Sequence, residues 1–381
     1  MLSAAVARSS PGGETWAKAQ LWLGYLSSYS ADPADGADYH TAVIEAYRNR
    51  KPSRVLVTAL AGGRAVARLN LGDIPGAVDD ARRALAAAGE LGDQESELLA
   101  LTALSITAYY AGDAAEALGW TRQARELLPL DLPGGASRWC HYIVALVLTE
   151  NGELDAARRV CAAGLARSRQ VDDLTSLVPL LEVMADLERL AGNPAAAGAQ
   201  LREAIGVASR IGLSVSLGSL IAHCGHLCAA TGRWADAVTL WAAVAAEWKR
   251  RGRPTGPVDE AHRLRYMPQI EQALGPGQLR EAGERGARMP FSAAVELAVM
   301  VAAAVQDEPR EAAPGRPGKL LSPRERELVT LVAEGRTNAE IAARLYISVR
   351  TVASHLDRIR DKTGYRRRAD LTRLALEESL V

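Results

Sequence analysis

Between residues 54 and 250 the apolar positions fall into blocks separated by a small polar turn that returns every 40 residues. The turns are Gly72-Asp73, Gly112-Asp113, Gly152-Glu153, Gly192-Asn193 and Gly232-Arg233. Each closes one apolar helical stretch and precedes another. Five residues after each glycine stands Ala77, Ala117, Ala157, Ala197 or Ala237, and twelve after it Ala84, Ala124, Gly164, Ala204 or Val244. Small residues one helical face apart suit closely packed antiparallel helices. Each period therefore predicts a helix-turn-helix hairpin stacked on its neighbours, and the whole a right-handed α-solenoid. Residues 1–53 read as one or two helices with Trp16, Trp22 and Tyr25 inside, interrupted at Asp32-Pro33-Ala34-Asp35-Gly36. After Arg250 the repeat breaks, and residues 251–305 predict capping helices over Val258–Leu274, Gln278–Arg288 and Ser292–Val305. Residues 306–318, rich in Pro and Gly without apolar periodicity, read as a linker.

The pattern changes again over residues 319–381, where four short helices are expected. Ser322-Pro323-Arg324-Glu325 has a hydroxyl cap, Pro at the first helical position and a carboxylate three residues on, followed by Leu328, Leu331 and Val332. Thr337-Asn338-Ala339-Glu340 is a second capping box, with Ile341, Ala342 and Leu345 inward. Ser348 caps a third helix whose apolar side is Val352, Leu356 and Ile359. A fourth, from about Ala369 to Ser379, carries Leu371, Leu374, Ala375 and Leu376. Two helices, a tight turn and a following helix with Arg350, Thr351, Ser354, His355, Arg358 and Arg360 on its outer side make a helix-turn-helix suited to a polyanion.

These residues resemble the LuxR-type DNA-binding domain. The likeness rests on Leu321-Ser322-Pro323-Arg324-Glu325-Arg326-Glu327, Glu334-Gly335, Asn338-Ala339-Glu340-Ile341-Ala342, Ile347-Ser348, Arg350-Thr351-Val352, His355 and Lys362-Thr363-Gly364. It implies that the Ser348 helix enters the major groove of double-stranded DNA and that the last helix pairs two subunits into a homodimer through Leu371, Leu374 and Ala375. The DNA-contacting set it implies is Thr337, Ser348, Arg350, Thr351, Ser354, His355 and Arg358, with Arg366, Arg367 and Arg368 as a phosphate clamp. Where the family usually has a lysine and a further polar or basic residue, this chain has Ala353 and Asp357. The repeat in turn resembles the tetratricopeptide repeat, although its period exceeds that family's 34 residues, which implies longer helices or longer loops. Solenoid and helix-turn-helix in this order resemble the C-terminal part of MalT-type regulators. The expected fold class is therefore all-α, a tetratricopeptide-like α-solenoid followed by a four-helix LuxR-type domain.

Charge sharpens this division. Residues 319–381 hold 13 Lys/Arg against 9 Asp/Glu, whereas residues 1–318 hold 32 against 36, so only the C-terminal piece is basic. Cys140, Cys161, Cys224 and Cys228 are sparse and lie in apolar runs, as expected of reduced thiols in a cytoplasm. Met1–Gly13 lacks the pattern of a signal peptide, and the longest apolar run, Phe291–Val305, is short of a membrane span.

Three motifs invite other chemistry. Gly315-Arg316-Pro317-Gly318-Lys319 resembles part of a phosphate-binding loop, but Ala313 and Leu320 stand where the pattern needs Gly and Ser/Thr, so no nucleotide cofactor and no MalT-like ATPase module is expected. His223-Cys224-Gly225-His226-Leu227-Cys228 offers four zinc ligands, yet the cysteines fall at apolar positions of the repeat and read as buried thiols. Trp234, Trp241 and Trp248, spaced by seven, are either packing residues or a ligand platform. No catalytic constellation appears, and an enzyme is not expected. The reading is a transcription regulator whose solenoid senses a small-molecule effector or protein partner. The alternatives are an interaction scaffold with a degenerate DNA-binding domain and the C-terminal part of a larger ATP-dependent regulator.

Overall fold

A computed structural model of the chain describes residues 2–30, 33–128, 136–252, 257–305, 323–333 and 336–345, with Val349, Val352, Leu356, Ile359, Leu371, Leu374 and Ala375. Among them every regular element is a helix, and none is long and apolar enough to cross a membrane. The chain forms two compact units, Met1–Glu308 and Pro309–Val381.

The first unit is a helical-repeat solenoid whose regularity comes from its turns. Left-handed residues recur at multiples of twenty positions, at Gly72, Gly92, Gly112, Gly152, Asp172, Gly192, Gly212, Gly232 and Gly252, with φ between 52° and 81°; position 132 lies outside the described residues. At most of these turns the next residue donates its N–H to the carbonyl five positions back, as in Asp113 to Ala108 (3.0 Å), Glu153 to Leu148 (2.9 Å) and Asn193 to Glu188 (2.8 Å). This closes the helix end. An aspartate often opens the next helix: Asp73, Asp93, Asp113 and Asp173 each accept an N–H three residues on. With turns this short, a 40-residue period is filled by two long helices, of 18 and 17 residues in Pro194–Ile211 and Ser214–Ala230 and of 14 and 15 in Ala114–Leu127 and Ala136–Glu150. The length beyond a 34-residue repeat lies in the helices and not in loops.

Alternate helices differ in burial. Leu154–Gln170 is amphipathic, with Ala157, Cys161, Gly164 and Leu165 inward. Gln94–Tyr110 is buried on every face from Leu98 to Ala108, because outer helices flank it and the Ala136–Glu150 helix lies beside it. The small residues mark the closest approaches. Ala77, Ala117, Ala157, Ala197 and Ala237 are 0–1% exposed, and a Cβ on Gly164 would stand 2.7 Å from that of His141. Cys140, Cys161, Cys224 and Cys228 are all buried free thiols, and burial pushes Cys140, Cys161 and Cys228 up to about 12.

The N-terminal region departs from expectation. It holds three helices, Leu2–Arg8, Glu14–Ser30 and Pro33–Tyr47. Pro33 begins a helix and Asp35 and Gly36 lie within it, because proline suits the first helical position. Trp16 is buried, but Trp22 is 57% exposed, since the inward face of its helix is taken by Trp16, Gln20, Gly24 and Ser28. Gly24 and Gly63 sit against opposite sides of the His40 ring, where added Cβ atoms would come within 2.5 Å of Nε2 and 2.4 Å of Nδ1. Burial, with the Arg64 charge, lowers His40 to about 4. Gly63 lies in Thr58–Arg64, a π-helical stretch between Arg54–Val57 and Ala65–Asn70. Arg64, at its end, makes a two-pronged ion pair to the fully buried Asp80 (2.6 and 2.8 Å), which Arg68 also reaches at 2.8 Å.

The capping region also differs. The helix expected over Val258–Leu274 is broken at Arg265-Tyr266 into Pro257–Leu264 and the start of Met267–Arg288. The latter is interrupted at Gly275 (φ 66°, ψ 169°), because Pro276 disfavours a helical residue before it. Phe291–Ala304 packs back on Pro194–Ile211, where Gly198 meets the Ala302 carbonyl. The expected linker at residues 306–318 and its phosphate-loop-like stretch lie outside the described residues.

The turns give a test with opposite signs. Gly152→Ala has open space for its methyl group but forces φ of 78° on an L-residue, and should destabilise by about 1–2 kcal/mol in urea unfolding. Asp172→Gly should leave stability unchanged or raise it; equal losses in both would show that the left-handed geometry is not what the turns require.

Candidate functional site

The solenoid curls until its first helices meet its later ones. Glu14–Ser30 touches Ser214–Ala230, and the Tyr25 hydroxyl bonds to Thr175. Pro257–Leu264 reaches Gln94–Tyr110, and a partly open cavity of about 420 Å³ lies along the inner helices. Tyr25, Tyr110, Trp139, Tyr142, Trp241 and Trp248 supply aromatic walls. Trp241 and Trp248 are fitted against glycines: a Cβ at Gly225 would stand 2.4 Å from the Trp241 indole nitrogen, and one at Gly218 2.3 Å from the Trp248 ring. Trp241 also donates to the Ala222 carbonyl at 3.1 Å. The seven-residue spacing therefore serves packing and the cavity wall together, while Trp234 packs on the core.

A network of charge lies beside this lumen. His223 Nε2 meets Asp186 at 2.9 Å, and Asp186 accepts from Arg189 at 2.9 and 3.0 Å. Arg189 donates to the Tyr266 hydroxyl (3.0 Å), and His262 Nε2 lies 2.8 Å from Glu150, which ties the 257–266 segment to two inner helices. Against the burial that would lower it, Asp186 and Glu182 raise His223 to about 10, so it is charged. Against the burial that would raise it, His223 and Arg189 hold Asp186 well below the usual carboxylate range. Burial and the nearby His223 charge keep His226 far below the ordinary histidine range, so it is neutral. His226 is 5% exposed, lines the cavity, and buries Nδ1 without a hydrogen-bond partner. The His223–Cys228 motif thus disperses its groups: the thiols enter the core, His223 an ion pair and His226 the lumen. Among the described residues no three such groups are placed to hold a metal ion.

The second unit has its own core. Leu328, Val329, Leu331 and Val332 of Pro323–Ala333 pack with Ile341, Ala342 and Leu345 of Asn338–Leu345. Val352, Leu356 and Ile359, helical and no more than 1% exposed, complete it with Leu371, Leu374 and Ala375. Thr337 and Glu340 form a reciprocal capping box: the Thr337 N–H donates to the Glu340 carboxylate at 2.7 Å, and the Glu340 N–H to Thr337 Oγ1 at 3.3 Å. The backbone and hydroxyl bonds from Thr337 lower the Glu340 pKa.

Residues 319–375 match the family GerE, bacterial regulatory proteins of the luxR family. The C-terminal unit is a LuxR-family DNA-binding domain. It is similar to the oxygen regulatory protein NreC of Staphylococcus aureus, strains JH9 and USA300, at 42% identity over 65 residues, or 17% of this chain. The chain spans 30% of the length of these relatives. The chain is also similar to Rap in the crystal structure of Rap protein complexed with competence and sporulation factor. The TM-score is 0.50 at 13% identity, covering 95% of this chain and 87% of that one, which shows a shared helical fold.

Within the LuxR-type domain, Thr337 is exposed and engaged in its capping box. Ser348, Arg350, Thr351, Ser354, His355, Arg358, Arg366, Arg367 and Arg368 lie outside the described residues, as do Ala353 and Asp357. Leu371, Leu374 and Ala375, expected at a dimer contact, have no exposed surface and fill the domain's own core. Sequence reasoning missed the lumen and its polar lining residues Glu182, His226 and Arg263. The available signal was a polar ring on an otherwise apolar inner helix.

Two measurements follow from this geometry. The His223 pKa is raised above the 6.5 of an unfolded histidine, so its charge stabilises the fold fully below about pH 6.5 and this contribution is lost as pH rises through about 10. The stability deficit of His223→Gln should therefore shrink between those values; a deficit independent of pH would mean that His223 is neutral in the fold. Leu356→Ala should destabilise the LuxR-type domain by about 2–5 kcal/mol. Because all seven tryptophans lie before residue 249, their fluorescence transition should not move, while a circular-dichroism transition of the C-terminal unit should. Coincident shifts in both signals would show that the two cores unfold together.

Proposed function

We propose that this chain is a transcription regulator in which the solenoid binds an effector or protein partner and so controls DNA binding by the C-terminal LuxR-type domain. The carrying observation is the union, in one chain, of a DNA-binding domain with its own core and a helical-repeat unit with an aromatic-lined lumen. The Rap structure supports a partner-binding role for the solenoid, since that protein is described in complex with competence and sporulation factor. The DNA face runs through Thr337, Ser348, Arg350, Thr351, Ser354, His355 and Arg358, with Arg366–Arg368 on phosphates. Two copies on a two-fold site would space half-sites one helical turn apart. Ala353 and Asp357 favour a second reading, an interaction scaffold with weakened DNA contact, because a carboxylate there repels the phosphate backbone.

Fluorescence anisotropy decides between them. The full chain should bind DNA from its own upstream region more tightly than a scrambled duplex, with log K falling linearly in log salt. Arg350→Ala with Arg358→Ala should weaken binding at least tenfold, at roughly 1–3 kcal/mol per lost contact. Equal, weak binding to both duplexes would favour the scaffold.

A further inference from the structure

The lumen has the features of a ligand site and not of a packing defect. Its volume of about 420 Å³ falls in the range of small-molecule pockets, which are mostly apolar with a few convergent polar groups. Its aromatic walls are built, since Trp241 and Trp248 are seated on Gly225 and Gly218, one pair for every two turns of the facing helices. His226 lines the same wall, and its buried Nδ1 has no protein partner. Buried polar atoms are rarely left unpaired, so the hydrogen-bonding capacity of this ring is not spent within the protein.

The charges nearby narrow the class of ligand. His223 is paired with Asp186 and lies near Glu182, Arg189 is paired with Asp186, Arg263 with Glu260, and His262 with Glu150. Among the described residues, His223, Arg189 and Arg263 each face a carboxylate of the protein itself, so an ionic ligand would have to compete with an existing ion pair. Flat aromatic walls favour rings, stacked or edge-on.

Building on the regulator reading above, we propose that the lumen is the effector site, and that it takes an uncharged, planar aromatic or heteroaromatic molecule whose N–H or O–H, or ring acceptor, bonds to the His226 imidazole. The short Pro257–Leu264 helix, held by His262 to Glu150, forms one side of the site.

The test uses the full chain and two fluorescent probes that differ in charge: N-phenyl-1-naphthylamine, neutral with one N–H, and its sulfonated relative 1-anilinonaphthalene-8-sulfonate. The neutral probe should bind at one saturable site with energy transfer from tryptophan, and the sulfonate at least tenfold more weakly. His226→Phe, which keeps a ring but removes the nitrogens, should weaken the neutral probe about fivefold. Ala245→Trp, which adds bulk at an exposed lining position, should abolish binding, with circular dichroism confirming the fold. Equal binding of both probes, or binding indifferent to both substitutions, would overturn the assignment. So would displacement of the neutral probe by a charged peptide as readily as by indole. Sequence-specific DNA binding without lumen binding would sink this inference alone. Lumen binding in a chain that does not discriminate between duplexes would support the site and remove the regulator reading.

Discussion

A left-handed residue recurring at multiples of twenty positions is the constraint on which the solenoid depends. Such a residue ends an α-helix within one position, because the following N–H groups turn back to the last free carbonyls. Repeated at a fixed interval it gives helices of nearly equal length, and equal lengths keep the small residues of successive helices in the same phase. Ala77, Ala117, Ala157, Ala197 and Ala237 are accordingly all buried. A regular stack of this kind curves by a small rotation at each step, and here the rotation accumulates until the Glu14–Ser30 helix reaches the Ser214–Ala230 helix. The lumen is a consequence of that closure.

Curvature also explains how the interior treats charge. Closing the stack takes polar side chains of the inner helices out of water, where an unpaired ion is costly. Asp186, His223 and Arg189 answer this by pairing with each other, and Asp80 does so with Arg64 and Arg68. Tyr266 and His262 extend the first network to the segment that crosses the concave side. His226 stays outside these pairings: its neutral ring avoids the ionic penalty, but Nδ1 is left without a bond.

The LuxR-type domain obeys a different economy. Its core is small and made of single apolar positions from several short helices, so local signals carry much of the specification. The Thr337–Glu340 box fixes where one helix begins, and Val352, Leu356 and Ile359 fix which side of the next turns inward.

The sequence by itself determined the all-α class, the 40-residue hairpin repeat, the buried cysteines and the inward face of the helix after Ser348. All of these rest on local periodicity and capping, which act within a few residues of chain. It also carried the LuxR-type pattern, because that domain's short helices and caps are legible one by one. Only the tertiary structure decided that Trp22 lies outside, that the capping helix breaks at Tyr266, that Leu371, Leu374 and Ala375 fill their own domain's core, and that His226 faces a cavity. Those outcomes depend on which helices meet across tens or hundreds of residues. The curl that brings Tyr25 to Thr175, and His262 to Glu150, is a sum of small packing rotations that no single stretch of sequence encodes.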